Sequence, residues 1–350
     1  MLIIEFVVSA VIIVIAGIFL TKSSENIAKI TGLGQMIVGS ILLSFATSLP
    51  ELVTTVSSVR LEAVDLGLGN ILGSNMFNLA ILAILDLVQG PGPLLLKLTL
   101  SHLMSGLIIL VMVSFLGISL TIYSFTAITP LQLRISPESI ILVIIFFAGL
   151  KLIHEYEKKT DNGQFAPVQK MEDVIPFPEA NSASLKLSRS GNFYQYLIFA
   201  ISALATLLAG MRLTAAADEI AVITGFGHSF LGAALLAVVT SLPELTTTIT
   251  AAKNKSYDLA AGNILGSNIF NLVLLAVADV FEPGSIIAAA STINFLPIFS
   301  LIIMIVLLMA GLFYRSEYSI FYLGISPALI LLVYLVTLWL LFALRNIPII

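Results

Sequence analysis

The sequence lacks cysteine and contains little charge. None of its 350 residues is a cysteine, so disulfides, zinc–thiolate sites and cysteine nucleophiles are excluded. Charged residues make up 10% of the chain, against roughly a quarter in soluble domains. Because so few charges cannot cover a water-exposed surface, we expect lipid to be the main solvent. The net charge of −4 is small for this length and argues against a nucleic-acid partner.

Long apolar stretches account for most of what remains, since 59% of the residues are hydrophobic. A spanning helix needs about 20 mostly apolar residues, and ten segments qualify. The first, which lacks the basic start and cleavage site of a signal peptide, is interpreted as a retained helix. The ten segments run approximately 3–22, 34–59, 67–87, 100–122, 136–153, 193–213, 227–252, 260–280, 291–313 and 325–344. The sequence therefore predicts an all-α membrane protein with ten transmembrane helices.

Two copies of one unit make up the chain. The segment Thr-Ser-Leu-Pro-Glu at 47–51 recurs at 240–244, and Gly-Asn-Ile-Leu-Gly-Ser-Asn at 69–75 recurs at 262–268. Both pairs are displaced by 193 residues, which indicates an internal duplication. A polar stretch without apolar periodicity separates the copies and is interpreted as a linker. The predicted organisation is a first five-helix repeat, a linker and a second five-helix repeat, at 1–153, 154–192 and 193–350.

An odd number of spans in each copy forces the second repeat to enter the membrane inverted, as in many secondary transporters. Basic residues favour the cytoplasmic side and give the orientation. With the N-terminus outside, the inner side holds Lys22, Lys29, Lys97, Lys151, Lys158, Lys159, Lys170, Lys186, Arg189, Lys253, Lys255 and Arg315. The outer side holds Arg60, Arg134, Arg212 and Arg345. We therefore expect a multi-pass protein of the cell membrane, with its N-terminus outside and the linker in the cytoplasm.

Glu51 and Glu244 lie within apolar spans, where a carboxylate costs several kcal/mol and marks a functional candidate. The alternative is a structural acid paired with a base, but no Lys or Arg lies within a turn of either glutamate. Hydroxyl groups three and four residues earlier should lie near each carboxylate on the same helix face. These hydroxyls belong to Thr47 and Ser48 and to Thr240 and Ser241.

Pro50 and Pro243 directly precede the two glutamates. Because proline has no N–H, the carbonyls of Ala46 and Val239 lose their helical partners. A bent helix of this kind offers carbonyls, hydroxyls and a carboxylate together. Such hard oxygen ligands suit calcium, sodium or protons rather than soft metals.

The next span of each repeat adds a polar stripe with a spacing of four residues. The stripes are Asn70, Ser74 and Asn78 in the first copy, and Asn263, Ser267 and Asn271 in the second. Small residues beside them permit close helix packing; they are Gly69, Gly73, Gly262 and Gly266. The stripes could serve an ion site, or only packing and hydrogen bonds between helices.

Four further acids also match between the copies. Asp65 and Asp258 precede these stripes and are expected to be helix N-caps without a transport role. Asp86 and Asp279 lie near helix ends, where they could anchor the chain or serve ion access.

These motifs resemble the calcium/cation antiporter family, most closely its sodium/calcium exchanger branch, over nearly the whole chain outside the linker. The resemblance implies ten helices in two inverted five-helix repeats around a central group of ion sites. It implies that Glu51, Glu244, Thr47 and Thr240 hold calcium. Sodium sites would add Ser74, Ser267 and the backbone carbonyls of Ser44 and Ala237, with Asn78 and Asn271 completing the centre. Some relatives, including potassium-dependent ones, carry Asp where this chain has Asn271.

The resulting hypothesis is antiport of Ca²⁺ against Na⁺ by alternating access, with the first and sixth spans as candidate moving elements. Exchange of Ca²⁺ or another divalent cation against H⁺ remains open, although the proton-coupled branch usually has a Gly-Asn-x-x-Glu pattern that Asn70 does not begin. A cation channel would use the same oxygens but usually requires an oligomeric pore. No phosphate-binding loop or paired nucleophile and base is found, so neither ATP-driven pumping nor an enzyme is expected, and no cofactor. The oligomeric state is not determined.

Overall fold

The structure, a computed structural model, is almost entirely helical. It describes residues 2–31, 44–88, 92–126, 128, 131, 133, 135–161, 189–253, 255, 257–282, 284–315, 318–320 and 323–345. In the first repeat the helices are α1 (Leu2–Thr31), α2 (Ser44–Thr47), α3 (Leu49–Arg60), α4 (Val64–Val88), α5 (His102–Phe125) and α6 (Pro137–Asp161). A short 3₁₀ helix, Leu94–Lys97, precedes α5.

The second repeat contains α7 (Arg189–Thr224), α8 (His228–Leu231), α9 (Ala237–Thr240), α10 (Leu242–Lys253), α11 (Tyr257–Asp279), α12 (Ile286–Ala289), α13 (Phe295–Tyr314) and α14 (Ile325–Leu344). A π-helical turn, Gly232–Leu236, joins α8 to α9, and a 3₁₀ turn, Thr292–Asn294, precedes α13. Two short antiparallel strands, β1 (Ser319–Ile320) and β2 (Leu323–Gly324), lead into α14.

The predicted fold class is confirmed: the chain is a helical membrane protein of ten transmembrane helices in two inverted repeats. Among the described residues, eight helices are long and apolar enough to span a membrane, and the α8–α10 segment forms a ninth, bent span. The second predicted span is described from Ser44 onward, as α2 and α3, and its first part, 34–43, lies outside the described residues. In lipid, backbone groups must find partners within the chain, so helices are the expected outcome.

The linker prediction falls mainly outside the described residues, which omit 162–188. Helix α6 continues to Asp161 and α7 begins at Arg189, so helical structure extends into both ends of the predicted 154–192 segment. Arg134, placed on the outer side by the charge argument, is also outside the described residues.

Helices α4 and α11 form the centre of the protein. Within their most apolar windows, 94% of the α4 residues and 72% of the α11 residues are buried. The corresponding share is 22% for α1, so lipid can reach most of that helix. Because α4 and α11 are enclosed by protein, their polar stripes need not face lipid, and each can carry asparagine and serine at little cost.

The two spans that contain Thr-Ser-Leu-Pro-Glu are each broken at the residue after the threonine, Thr47 or Thr240. The first breaks at Ser48, between α2 and α3, and the second at Ser241, between α9 and α10, where the axis bends by 46°. Proline two residues later cannot donate a helical hydrogen bond, which explains why each break lies here. The break places Glu51 and Glu244 in the first turns of α3 and α10.

Helices α1 and α7 pack against each other at one side of this centre. Each crosses the broken span of the opposite repeat at a glycine. A Cβ at Gly17 would lie 2.5 Å from Pro243 Cγ, and one at Gly210 would lie 2.8 Å from Val53 Cγ1. The two glycines are counterparts under the 193-residue displacement, so both repeats use glycine for a close crossing.

Candidate functional site

The two glutamates lie at the centre and are fully buried. Each receives a hydrogen bond from the serine at the break of the opposite repeat. Ser241 donates to Glu51 Oε1 over 2.9 Å, and Ser48 donates to Glu244 Oε1 over 3.4 Å. The sequence prediction placed each serine beside the glutamate of its own helix. The break at Ser48 and Ser241 interrupts that helical spacing and turns each hydroxyl toward the other repeat.

The second carboxylate oxygen of each glutamate has no hydrogen-bond partner among the described residues. Glu51 Oε2 and Glu244 Oε2 are both buried. None of the ion pairs in the described part of the chain includes either carboxylate. Two buried carboxylates without a base are costly unless a cation accompanies them. The pair is therefore a candidate cation site, and no described residue forms a structural salt bridge with it.

Hydroxyls and two backbone carbonyls extend the oxygen set. Ser74 Oγ lies 3.3 Å from Glu51 Oε1, 3.4 Å from Thr240 Oγ1 and 3.4 Å from the carbonyl oxygen of Ala237. On the mirrored side, Thr47 Oγ1 lies 3.5 Å from Ser267 Oγ and 3.3 Å from the carbonyl oxygen of Ser44. These long distances show hydroxyl groups that are close to one another but not tightly bonded. The structure thus brings together all of the predicted threonine and serine positions with the carbonyls of Ser44 and Ala237.

The first asparagine of each stripe holds the broken span that precedes it. Asn70 Nδ2 donates to Thr54 Oγ1 over 2.8 Å, and its counterpart Asn263 Nδ2 donates to Thr247 Oγ1 over 2.9 Å. Thr240 Oγ1 also donates to Asn70 Oδ1, over 3.3 Å. Asn263 Oδ1, in contrast, is buried and has no partner among the described residues. The packing interpretation therefore applies to both residues, and the two copies differ in how completely it is satisfied.

The third residue of each stripe is an asparagine whose side-chain oxygen has no hydrogen-bond partner among the described residues. Asn78 and Asn271 are fully buried, and each donates its amide nitrogen to an asparagine of the opposite repeat, over 2.9 and 3.1 Å. Their Oδ1 atoms have no partner in the described part of the protein. Each lies one helical turn beyond the serine of its stripe, Ser74 or Ser267, on the same face. Both oxygens are consequently available to a cation.

The two halves of the site differ in exposure. In α3, Val53, Thr54 and Thr55 are buried, and Thr214 of α7 donates to the carbonyl oxygen of Thr54 over 3.5 Å. In α10, Thr247, the counterpart of Thr54, is only partly buried. The α3 side of the site is therefore covered more completely by the long helix of the other repeat.

A cavity of 660 Å³ lies at the end of α3. Its lining includes Arg60, Glu62, Asp65, His228 and Glu282. Burial, then the nearby charges of Asp279 and Glu62, raise the pKa of Glu282 above its ordinary value. The His228 ring lies 2.9 Å from Asp218. Acidic groups dominate this mouth, and the field of such a cleft attracts cations.

The N-cap prediction for Asp65 and Asp258 is wrong. Both residues lie inside the first helical turn, and their carboxylates accept from loops of the opposite repeat instead. Asp65 accepts from the backbone amide of Ser291 at 2.8 Å, and Asp258 accepts from that of Thr99 at 2.8 Å and from His102 at 2.9 Å. Burial raises the pKa of Asp258, but the hydrogen bonds from His102 and Thr99 outweigh it and hold that pKa below its usual value.

Asp86 and Asp279 are anchors between the repeats. Asp279 accepts from the backbone amides of Ile286, over 2.8 Å, and of Ser136, over 2.7 Å, at the start of α6. Asp86 accepts from the amides of Leu94 and of Gly324, at the start of α14. Each aspartate therefore joins a segment of its own repeat to the other repeat, which favours anchoring over a role in ion access.

Sequence reasoning missed the pair Asn75 and Asn268, which contact the predicted site residues directly. Both lie in the duplicated seven-residue segment, immediately after Ser74 and Ser267. The signal was their repetition at the 193-residue displacement, in a span whose other polar residues were already assigned to the site. They were passed over because they do not follow the four-residue spacing of the stripes.

Known proteins of one family are similar to this chain. The family described as sodium/calcium exchanger protein matches residues 1–153 and 194–343. CaxA of Alkalimonas amylolytica, a proposed antiporter, is 29% identical over 272 residues, which cover 77% of each chain. The sodium/calcium exchanger MaX1 of Methanosarcina acetivorans is 26% identical over 292 residues, or 77% of this chain and 79% of MaX1.

The fold is also similar to a solved exchanger. A structure of the sodium-calcium exchanger NCX_Mj, soaked with 2.5 mM Na⁺ and 10 mM Sr²⁺, superimposes with a TM-score of 0.59 and 21% identity. The match covers 97% of this chain and 99% of that one. At this level of identity the likeness establishes the shared fold.

Proposed function

Because this chain belongs to the sodium/calcium exchanger family, we propose that it exchanges Ca²⁺ for Na⁺ across its membrane by alternating access. The family is one of membrane transporters, and the named relatives include a sodium/calcium exchanger and a proposed antiporter. Cation antiport is therefore the general activity. The choice of Na⁺ as the coupling ion, and the residues that bind each ion, are the proposal.

One observation carries the proposal: two buried carboxylates face the centre without a base. Glu51 and Glu244 each retain an oxygen that accepts no hydrogen bond from a described residue. Two negative charges are balanced by one Ca²⁺, and also by two monovalent cations. Because either cargo neutralises the same pair, binding of one displaces the other, and exchange needs no ATP.

The hydroxyl and carbonyl oxygens around the glutamates favour a metal cation as the counterion. A proton needs only a carboxylate oxygen, whereas a dehydrated hard cation needs several oxygen ligands. We assign Glu51, Glu244, Thr47 and Thr240 to calcium. For sodium we add the hydroxyls of Ser74 and Ser267 and the carbonyls of Ser44 and Ala237. The carbonyl oxygens of Asn78 and Asn271 complete the centre, and Ser48 and Ser241 orient the carboxylates.

Motion of α1 and α7 past the central bundle would expose the site alternately to each side. Both helices are peripheral, and both cross a broken span at a glycine, Gly17 or Gly210, where little side-chain volume must be displaced. The unequal covering of α3 and α10 supports the same mechanism. In an inverted repeat, exchanging the two environments converts one access state into the other.

We further propose that the N-terminus lies outside and that the 154–192 linker, between the two repeats, is cytoplasmic. The described basic residues support this orientation. Lys97 lies over the ring of Tyr257, with its Nζ 4.9 Å from the ring centroid, and Arg315 donates to the carbonyl oxygen of Leu98. Both cations belong to the side that is rich in Lys and Arg. The acidic cavity beside Arg60 then opens to the exterior.

Calcium uptake into proteoliposomes tests the coupling ion. Vesicles containing the purified protein are loaded with Na⁺ and diluted into radiolabelled Ca²⁺ without Na⁺. Matched vesicles are loaded with K⁺, and a third set carries an imposed pH gradient in K⁺. We expect rapid uptake that depends on internal Na⁺ and that external Na⁺ suppresses.

Other outcomes of this experiment would replace the proposal. Uptake driven only by the pH gradient would assign H⁺ as the coupling ion and leave the site in place. Uptake that needs no particular internal cation, and therefore also occurs in K⁺-loaded vesicles, would indicate a channel. Such uptake should stop when the membrane potential is set to the equilibrium potential of Ca²⁺.

A further inference from the structure

Four asparagines form a linear hydrogen-bonded network, in the order Asn78–Asn268–Asn75–Asn271, where α4 and α11 cross at the centre. They are Asn75 and Asn78 on α4 and Asn268 and Asn271 on α11, and all four are fully buried. Asn75 and Asn268 exchange bonds with each other's backbone: Asn75 Nδ2 donates to the carbonyl oxygen of Asn268 over 3.2 Å, and Asn268 Nδ2 to that of Asn75 over 3.1 Å.

The side-chain oxygens of this inner pair accept from the outer pair. Asn78 Nδ2 donates to Asn268 Oδ1 over 2.9 Å, and Asn271 Nδ2 donates to Asn75 Oδ1 over 3.1 Å. Every hydrogen bond in the network crosses between the repeats, and the network has the approximate twofold symmetry of the duplication.

The backbone carbonyls of Asn75 and Asn268 determine which group donates and which accepts in every hydrogen bond of the network. An amide side chain presents either its oxygen or its NH₂ group to a neighbour, depending on a half-turn of its last torsion. A backbone carbonyl can only accept, so Asn268 must turn its NH₂ group toward Asn75 and its oxygen toward Asn78. Asn78 must then direct its own NH₂ group toward Asn268. Its Oδ1 is left on the opposite side, where no described residue donates a hydrogen bond to it.

We infer that Asn75 and Asn268 are positioning residues that turn the carbonyl oxygens of Asn271 and Asn78, rather than their NH₂ groups, toward the transported cation. This inference rests on the proposed function, and it concerns residues that do not contact the ion themselves. Without these hydrogen bonds, each outer amide is free to present two N–H donors to a cation, which is repulsive. The network therefore favours cation binding through Asn75 and Asn268, which do not contact the ion themselves.

A double-mutant cycle tests the inference, because a carboxylate has oxygen on both sides and needs no orientation. Initial rates of Na⁺-driven calcium uptake are measured against Ca²⁺ concentration for the parent, Asn268→Leu, Asn78→Asp and the double variant. Leucine has the same number and branching of side-chain heavy atoms as asparagine, although it is bulkier, and it neither accepts nor donates a hydrogen bond. The half-saturating Ca²⁺ concentration and the maximal rate are recorded separately, with protein in the membrane as normalisation.

We expect Asn268→Leu to raise the half-saturating Ca²⁺ concentration by about tenfold, the scale of one hydrogen bond to a charged group. In the Asn78→Asp background the same change should have an effect within about twofold of none, which is the tolerance for sites that do not couple. A merely structural role would lower the maximal rate or the amount of protein, and it would do so in both backgrounds.

An equal effect of Asn268→Leu in both backgrounds, or an unchanged half-saturating concentration, would overturn the inference. If Asn268→Leu does not insert into the membrane, the mirrored cycle of Asn75→Leu with Asn271→Asp provides the same comparison at the other end of the network. Absence of Na⁺-driven uptake in the parent would instead count against the proposed function. The calcium-dependent shift in thermal stability of the same four purified proteins then supplies the binding readout for the cycle.

Discussion

Ser241 of the second repeat donates a hydrogen bond to Glu51 of the first repeat over 2.9 Å, whereas the mirrored bond from Ser48 to Glu244 is 3.4 Å long. A shorter bond to a buried carboxylate contributes more to holding that carboxylate in place. We predict that Ser241→Ala raises the half-saturating Ca²⁺ concentration by about tenfold, the scale of a charge-assisted bond, and that Ser48→Ala has a smaller effect. Uptake kinetics of the two variants provide the comparison. Equal effects, or a larger effect of Ser48→Ala, would show that the difference between the two hydrogen-bond lengths does not affect Ca²⁺ transport.

The carboxylates themselves are expected to be indispensable. Glu51→Gln and Glu244→Gln preserve shape but remove one of the two charges that balance Ca²⁺. We predict that each lowers Na⁺-driven uptake by at least about a hundredfold, since loss of one member of a buried charge interaction costs several kcal/mol. Membrane insertion should persist, because the glutamine removes a buried charge. Glu155→Gln, at an exposed position of α6, is the matched control and should transport normally. Full uptake by either core variant would remove that glutamate from the site.

The sequence alone was sufficient for the apolar spans, for the duplication and for naming candidate residues that the structure brings together. The ten apolar stretches can be recognised without a structure because lipid permits few folds. The helix breaks can be placed from the repeated Thr-Ser-Leu-Pro-Glu segment because Pro50 and Pro243 cannot donate a helical hydrogen bond. The pairing across the break could not be predicted in the same way. Ser48 contacts Glu244, 196 residues away, and this contact depends on how the two repeats are superimposed at the centre.

The acids outside the site show a second limit of sequence reasoning. Asp65 was expected to cap its own helix because capping is a local interaction. The carboxylate instead satisfies the backbone amide of Ser291, whose need for a partner arises only when α4 and the loop before α13 meet. A duplicated sequence reveals that Asp86 and Asp279 have the same function, but it does not reveal which amides they accept from.

The glycine crossings predict a steric block that a second substitution relieves. A Cβ at Gly210 would lie 2.8 Å from Val53 Cγ1 and 3.2 Å from Val53 Cβ, closer than packed carbon atoms tolerate. We predict that Gly210→Ala slows exchange, and that adding Val53→Ala restores much of the rate because it removes the nearer atom. Gly106→Ala is the control, since its closest neighbours belong to the flexible side chain of Met309. Normal transport by Gly210→Ala alone would mean that α7 does not need this close crossing.

Glu282 predicts a pH-dependent change in stability. Burial, together with the charges of Asp279 and Glu62, raises its pKa in the folded protein. A raised pKa means that the protonated form favours folding, so this stabilisation is present below the ordinary pKa and is lost as the pH rises through the folded value. Glu282→Gln mimics the protonated form. We therefore expect a modest increase in thermal stability at pH 7 that disappears near pH 4.

Thermal unfolding of Glu282→Gln and the parent in the same detergent checks this expectation at both pH values. Glu155→Gln again serves as the control, because its exposed carboxylate should give no pH-dependent difference. A gain for Glu282→Gln that is the same at pH 7 and pH 4 would show that its cause is not the titration of this carboxylate.

The absence of cysteine makes the unequal halves of the site directly measurable. Thr54 and Thr247 are counterparts, and each bonds a carbonyl of its own helix and an asparagine of the next. Thr54 is fully buried beneath α7, whereas Thr247 is partly exposed. In single-cysteine variants the introduced thiol is the only one, so its rate of modification by a small membrane-impermeant thiosulfonate reports access from water. We predict that Thr247→Cys reacts faster than Thr54→Cys, and from the side that carries the linker.

Changing the ions should then distinguish a mobile gate from a fixed difference in packing. If α1 and α7 move between two access states, ions that favour the opposite state must shift the populations, and the two rates must change in opposite directions. Mirrored labelling under Na⁺ and under Ca²⁺ measures that shift on residues that differ only in which repeat carries them. Rates that keep the same ratio under every ion condition would leave α3 permanently covered. The unequal burial of Thr54 and Thr247 would then be a property of the fold rather than of one transport state.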